Sequence, residues 1–309
     1  MSAPPRQGAK LARRKLDGVL LLDKPLGYSS NQALQAARRL FNAEKAGHTG
    51  TLDPLATGLL PLCFGEATKF SSELLNADKR YVATVQLGVT TDTADAEGAV
   101  LQCRPVEVER RDVEAVLKDF LGDIDQVPPM YSALKRDGKP LYEYARAGVE
   151  IERAARRVSI YELRLIESEE TFNGSCFVFE VRCSKGTYVR TLAADIGERL
   201  GCGAHLTALR RTGIGMLDVG DAHSMATLES LSMDARDGLL MPPDALLAGL
   251  DEIRLGIADA DRLRHGQAVR GGAEAGCRVR VYDLDHVFIG VCRQLEDGWL
   301  QPQRLVASN

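Results

Sequence analysis

The chain has 309 residues, a formal net charge of −4, and 45% apolar and 27% charged content, which suits two domains with a sizeable core. No run of about 18 apolar residues exists to cross a membrane, the N-terminus lacks the apolar segment of a secretory signal, and an acidic balance excludes global attraction for polyanions, so any nucleic-acid contact must come from local basic patches. Seven cysteines with no C-x-x-C among them argue against a disulfide framework and a zinc site, and for a reducing cytoplasm.

Residues 1–16 carry Arg6, Lys10, Arg13, Arg14 and Lys15 with no acid and read as a disordered basic arm, able to touch nucleic acid or simply to solubilise. A short apolar strand over Gly18–Leu22 runs into the turn Asp23-Lys24-Pro25-Leu26-Gly27. Ser29 with Gln32 forms a capping-box pattern, and Ala33, Leu34, Ala37, Leu40 and Phe41 recur at helical spacing behind it. Residues 47–58 read GHTGTLDPLATG. An apolar run, Leu59–Phe64, follows. Tyr81, Ala83, Val85 and Leu87 alternate as one face of a strand. The acidic stretch Thr90–Gly98 does not follow the order of acids in an EF-hand loop and reads as a turn between strands. Val113, Val116, Leu117, Phe120 and Leu121 mark a second amphipathic helix.

After Pro128-Pro129 the texture changes. Residues 131–157 hold seven basic side chains against four acidic ones, a local +3, interleaved with Tyr131, Tyr142 and Tyr144. Basic residues mixed with aromatics suit phosphate contacts and base stacking, and they also suit a solvated helix face. Strands over about 158–167 and 176–183 lead to Ser184-Lys185-Gly186-Thr187 and a helix from Tyr188 to about Leu200. With Thr187 as N-cap, Lys185 and Arg190 flank a helix start, a favourable place for an anion. A strand near Ala204–Arg211 follows, and the main domain ends around Met241-Pro242-Pro243. A small helix at 258–265 and short strands Val279–Leu284, Val287–Gln294 and Trp299–Val306 complete the chain.

The 47–58 segment is the most informative. Its three glycines and Asp53-Pro54 shape a loop that presents a single carboxylate, since glycine permits positive φ and the residue before proline is pushed out of helical geometry. No second carboxylate lies nearby for an acid/base pair, no His/Cys spacing would hold a metal, and no phosphate-cradling G-x-x-x-x-G-K-[ST] occurs. One lone acid points to nucleophilic or general-base work; the same composition also builds a solvated turn with Asx hydrogen bonds.

That loop resembles the catalytic signature of the TruB family of tRNA pseudouridine-55 synthases. Four further segments resemble the family in order: LLLDKPLGYSSN at 20–31, KRYVATVQLG at 79–88, SKGTYVRTLAADIG at 184–197 and HLTALRRTGIG at 205–215. The resemblance implies an α+β pseudouridine synthase fold, with a central, mostly antiparallel sheet flanked by helices and a small PUA-like β-barrel behind it. It divides the chain into the arm at 1–16, a catalytic domain at 17–248 with an RNA-closing insertion at 131–157, and a PUA-like RNA-binding domain at 249–309. The implied reaction is isomerisation of uridine 55 in the T loop of tRNA, after the base is flipped out of its stack. No cofactor and no metal are expected, because nothing is oxidised and no group carrier is needed.

The resemblance also implies roles. Asp53 attacks the uracil ring, attacks C1′, or removes the 2′ hydrogen, and all three need it ionised. Arg190 holds it as a bidentate partner. Tyr81 stacks on the flipped base and its hydroxyl helps remove the C5 proton. His48 fills space in the RNA loop, Tyr188 and Leu209 line the uracil pocket, and Lys24 either fastens the wall or meets a phosphate. Lys69, Arg210 and Arg211 are candidate RNA-backbone contacts. The expected protein is a cytoplasmic monomer with tRNA as partner, no membrane and no obligatory protein partner. Two other readings remain: a guide-RNA-dependent relative of the same superfamily, and an RNA-binding or RNA-folding module without chemistry.

Overall fold

The computed structural model describes residues 12–132, 134–166, 172 and 174–307. The first strand, β1 (Gly18–Lys24), is buried along nearly its whole length, as a continuous apolar run in a central strand should be. Helix α1 (Ser30–Leu40) starts at the expected capping box, with Ser29 and Gln32 bonding each other's backbone N–H groups. Strands β2 (Ala46–His48) and β3 (Ala56–Phe64) bracket the Asp53 loop. In β4 (Lys79–Leu87) buried and half-buried residues alternate without exception. A hairpin, β5 (Val89–Thr91) and β6 (Val100–Cys103), carries the acidic stretch between its strands. Helix α2 (Arg110–Asp119) and β7 (Gly122–Gln126) lead to the basic insertion. Within the insertion lie β8 (Lys135–Arg136), β9 (Lys139–Pro140) and the short helix α3 (Leu141–Arg146). Then come β10 (Arg156–Leu165), β11 (Cys176–Cys183), α4 (Val189–Arg199), β12 (Ala204–Ile214), β13 (Leu217–Asp218) and β14 (His223–Ser224), followed by helices α5 (Met225–Ser230) and α6 (Met233–Asp237).

Ten of these strands form one sheet in the order β14-β1-β3-β12-β4-β11-β10-β7, with β13 on β12 and β2 on β3, while β5–β6 and β8–β9 are separate two-stranded pairs. Only β1–β14 and β3–β12 run parallel. The sheet is therefore mostly antiparallel, as expected. The side facing α1, α2 and α4 carries the large core, including Leu34, Phe41, Phe64, Phe177 and Leu192. Where β1 and β3 meet the C-terminal region, a second cluster joins Phe70 and Leu74 to Leu246, Leu247 and Val291.

Beyond residue 250, β15 (Asp251–Arg254), helix α7 (Ile257–Arg264), β16 (Val269–Arg270), β17 (Arg278–Tyr282), β18 (Phe288–Gln294) and β19 (Trp299–Leu305) build a five-stranded sheet. Its order, β15-β17-β18-β19-β16, is an open path. The small PUA-like domain implied by the resemblance is present as a curled half-barrel. Ala260 and Leu263 of α7 pack into its core against Val279, Val281 and Ile289.

One expectation needs correcting at the N-terminus. Residues 12–16 are not a free arm: Arg14 exchanges backbone hydrogen bonds with Asn42 and Glu44, and its guanidinium pairs with Asp237. The backbone bonds and the ion pair together hold a segment that basic composition alone would leave in solvent. The rest of the arm lies outside the described residues.

Candidate active site

Two pairings of β12, parallel to β3 and antiparallel to β4, bring the site together. Because β12 runs beside β3, Leu209, Arg210 and Arg211 lie opposite Ala56, Thr57 and Gly58, at the end of the Asp53 loop. Because β12 also pairs with β4, Arg211 lies opposite Tyr81. Gly58 has φ +97°, and a Cβ there would stand 2.3 Å from the Arg211 carbonyl oxygen, so only glycine allows the strands this close. The loop itself is gripped by α1. Buried Ser30 accepts from the Leu52 N–H (2.7 Å) and donates to the Leu52 carbonyl (3.1 Å). The Gly27 N–H holds the Pro54 carbonyl at 2.9 Å.

Asp53 therefore projects from a braced turn into a hollow of about 270 Å³, with Tyr81, Tyr188, Leu209 and Arg190 among its walls. That size fits one nucleoside. Arg190, 5% exposed, reaches Asp53 Oδ2 at 3.1 Å from one nitrogen and Asp95 Oδ2 at 3.1 Å from the other. It also donates to the carbonyls of Thr93 (3.1 Å) and Tyr131 (2.7 Å). The expected bidentate Arg190–Asp53 pair is replaced by a bridge between two acids, because the guanidinium's second arm is taken by a carboxylate from the β5–β6 hairpin. Burial pushes the Asp53 carboxyl above the ordinary aspartate value; Arg190 opposes the rise, Asp95 adds to it and Lys24 opposes it.

Tyr81 is 9% exposed. Burial raises its phenol, with the Arg211 guanidinium facing its hydroxyl and pulling the other way. The start of α4 is set by Gln126 of β7, whose side chain accepts from the Tyr188 N–H (3.0 Å) and donates to the Tyr188 carbonyl (3.3 Å). Thr187 is not the N-cap. Tyr188 takes that position in extended geometry, and the Thr187 hydroxyl donates to Ser184 instead. His48 lines a second, larger hollow of about 600 Å³ on the other side of Asp53, shared with Tyr142 and Arg146 of the insertion. Its Nδ1 is buried with no hydrogen-bond partner among the described residues, and burial lowers its affinity for a proton.

The first 152 residues of the match to known families, 38–189, fit the TruB family pseudouridylate synthase N-terminal domain. Residues 190–248 match the tRNA pseudouridylate synthase B C-terminal domain, and residues 252–306 the C-terminal model of pseudouridine synthase II TruB. A tRNA pseudouridine synthase B of Burkholderia mallei is 58% identical over 97% of both chains, and that of Azoarcus sp. is 57% identical over 97% of this chain and 98% of its own. The chain belongs to the TruB family. Among solved structures, an H/ACA ribonucleoprotein bound to a substrate RNA containing 2′-deoxyuridine shares the fold at TM-score 0.70 and 22% identity, over 94% of this chain and 85% of its own. A Cbf5–Nop10–Gar1 complex aligns at TM-score 0.70 and 26% identity, over 93% and 84%.

Within this TruB-family chain the structure separates the remaining candidates. Lys24 is fully enclosed, and its ammonium donates to the Pro25 and Tyr28 carbonyls, 2.9 and 2.5 Å away. It fastens the turn after β1 and does not reach a phosphate; burial lowers it to about 8. Three expected RNA-backbone contacts are occupied elsewhere. Lys69 pairs with Glu66 and donates to the Leu305 carbonyl, fastening the half-barrel to the main sheet. Arg210 makes a two-armed pair with Asp23 (2.9 and 2.7 Å). Arg211 is 1% exposed and donates to the carbonyls of Leu59 and Gly50. Charge and position in a motif do not distinguish a solvent-facing arginine from one turned inward by strand register.

Asp95 is the residue sequence reasoning missed. The Thr90–Gly98 stretch was read as a turn, yet Asp95 is 2% exposed and accepts from Thr93 Oγ1 (2.6 Å) and the Glu97 N–H (3.1 Å). The available signal was the threonine-framed acid in T-T-D-T-x-D, because nearby hydroxyl and N–H donors can satisfy the oxygens of a buried carboxylate. Among the described residues no group of His, Cys, Asp and Glu side chains could hold a metal ion.

Proposed function

We propose that this chain converts uridine 55 of tRNA to pseudouridine, with Asp53, Arg190 and Tyr81 at the reacting base. The observation that carries the site assignment is Asp53 itself, fixed by Ser30 and Gly27 and paired with a buried arginine at the mouth of a nucleoside-sized hollow. The activity follows from family membership and from relatives named tRNA pseudouridine synthase B across nearly the whole chain.

In this reading the flipped uracil stacks on Tyr81, a contact worth about 1–3 kcal/mol per base, with Tyr188 and Leu209 enclosing it. Arg190 holds the Asp53 carboxylate ionised against burial and aims it at the sugar–base junction. Its second acid, Asp95, fixes the guanidinium so that it cannot follow the aspartate as the latter moves. Asp53 then serves as nucleophile toward the ring or C1′, or as base toward the 2′ hydrogen. His48 fills the space that the extruded base leaves.

The division into a catalytic domain at 17–248 and an RNA-binding half-barrel at 249–309 belongs to the same proposal. So does independence from protein partners: Tyr142 and Arg146 of the chain's own insertion line the hollow beside Asp53, the place where a guided enzyme would rely on other components. Cys63, Cys103, Cys183, Cys202, Cys277 and Cys292 are free thiols, which suits a reducing cytoplasm, and no helix among the described residues is long and apolar enough to cross a membrane. The test is tritium release from C5-labelled uridine in unmodified tRNA, with the purified chain alone. Release supports a stand-alone enzyme; release only after adding guide RNA or other proteins would assign it to the guided type.

A further inference from the structure

The floor of the uracil hollow holds two buried cations that the reaction scheme above does not use. Lys79 and Arg211, 9% and 1% exposed, both line the hollow around Tyr81. They reach it from two strands. Lys79 and Tyr81 are two apart on β4 and so share a face, and Arg211 stands opposite Tyr81 on β12.

Neither forms an ion pair with a carboxylate among the described residues. Lys79 Nζ donates to the carbonyls of Leu74, Leu75 and Ala77 (3.3, 3.0 and 2.6 Å). Three acceptors match the three N–H bonds of an ammonium, while burial and the neighbouring Arg211 guanidinium lower the amine's affinity for its proton. Arg211 donates to the carbonyls of Leu59 (2.8 Å) and Gly50 (3.0 Å) and faces the Tyr81 hydroxyl. Carbonyl oxygens satisfy N–H groups but leave the net charge in place. A buried charge without a counter-charge is costly. Of the acids nearby, Asp53 is held by Arg190, and Asp78 beside Lys79 is paired with Arg182 at 3.7 Å. A positive field is left at the floor of the hollow.

We propose that Arg211 and Lys79 are an electrostatic floor that stabilises the negative charge developing on uracil when its bond to the sugar breaks. This rests on the assignment of the hollow to the flipped base. When N1–C1′ breaks, the bonding pair stays on N1 and the ring becomes a uracil anion, its charge spread over N1 and the two carbonyl oxygens. C1′ is taken up by the Asp53 carboxylate, or the sugar loses its 2′ proton to it. If Asp53 adds to the ring first, the electron pair it displaces also goes to a ring oxygen. In the second half C5 supplies the pair that bonds to C1′ and releases its proton to solvent, so the product is an isomer and the floor returns to its starting state. On every route the ring is most negative in mid-reaction, where fixed cations in a dry site act most strongly.

The test compares single-turnover rates on a T-stem-loop RNA carrying uridine, or 5-fluorouridine, at the target position. Fluorine stabilises the ring anion by itself, so it makes the floor less necessary. Arg211→Met and Lys79→Met should each slow the uridine RNA by about 10²–10³-fold with unchanged Kd for RNA, and Arg211→Lys should lose less. On the fluorinated RNA the deficit should shrink by at least about tenfold, or 1.4 kcal/mol. Equal deficits on both RNAs would reduce these residues to structural supports, and full activity of either folded Met variant would overturn the proposal directly. Should Arg211→Met fail to fold, Lys79→Met carries the comparison alone. Asp53→Asn, expected to be inactive on both RNAs, is the control: activity there would remove the site assignment, whatever the floor variants do.

Discussion

Asp53 stands between opposed influences, and their balance can be measured. Burial raises its carboxyl and Arg190 restrains the rise, so the acidic limb of the single-turnover rate should lie above the ordinary aspartate value of about 3.9. Asp95→Asn removes a like charge and should move that limb to lower pH. It should also slow the reaction by about 10²-fold, because Arg190 loses one of the two carboxylates that fix it. The linkage has a definite sign. A carboxyl raised in the folded state favours folding only while protonated, and that contribution disappears as pH rises through the folded value. Asp53→Asn should therefore have a higher Tm than the parent at pH 8, and the difference should shrink toward pH 4; an equal or lower Tm at pH 8 would contradict the assigned direction. Asp53 was legible in the sequence because its loop is unusual in composition. Asp95 was not, since an acidic turn looks the same whether its carboxylates face water or an arginine that is distant in sequence.

At the scale of elements, the site depends on contacts between α1, β3, β12 and β4. Ser30 satisfies both main-chain groups of Leu52 from the first turn of α1. Ser30→Ala leaves them unpaired in a buried place, at about 1–3 kcal/mol, and should reduce activity more than RNA affinity; chemical denaturation and single-turnover kinetics read the two effects. Gly58→Ala should prevent folding or shift β12, since its Cβ would overlap the Arg211 carbonyl oxygen. Helix α1 and strands β4, β11 and β12 were legible from periodicity and capping, with ends adjusted by a few residues, whereas β3 showed in the sequence only as the apolar run Leu59–Phe64. The parallel pairing of β3 with β12 was not legible, because 152 residues separate Thr57 from Leu209 and no local pattern encodes a partner strand. That pairing turns Arg211 inward and leaves Arg210 beside Asp23. The motif alone showed two adjacent arginines and a single expected role. Thr187 failed as an N-cap for a similar reason: Gln126, distant in sequence, supplies the bonds at the start of α4.

For the whole molecule, the half-barrel is seated on the main sheet by mixed contacts. Phe70 meets the Phe288 ring at 5.4 Å, Arg278 grips Glu73 with both arms (2.9 and 2.8 Å), and Lys69 holds the Leu305 carbonyl. Phe70→Ala should cost about 3–5 kcal/mol and loosen that seat, seen as a lower Tm and faster proteolysis between residues 248 and 255. With a net charge of −4, RNA affinity must come from local patches and should fall with salt in proportion to the few phosphates neutralised. Composition disclosed that constraint, and the resemblance supplied the two-part division. The seam itself was not legible: in the sequence Lys69 reads as a candidate RNA-backbone contact, and no local pattern marks its bond to the Leu305 carbonyl. The central claim is that one carboxylate, braced by α1 and held by Arg190, performs the isomerisation. It is tested most directly by mapping pseudouridine in unmodified tRNA treated with the purified chain or with Asp53→Asn. Pseudouridine is expected at position 55 with the parent, none with the variant, and equal RNA binding by both; pseudouridine formed at the parent rate by Asp53→Asn would remove Asp53 from the chemistry.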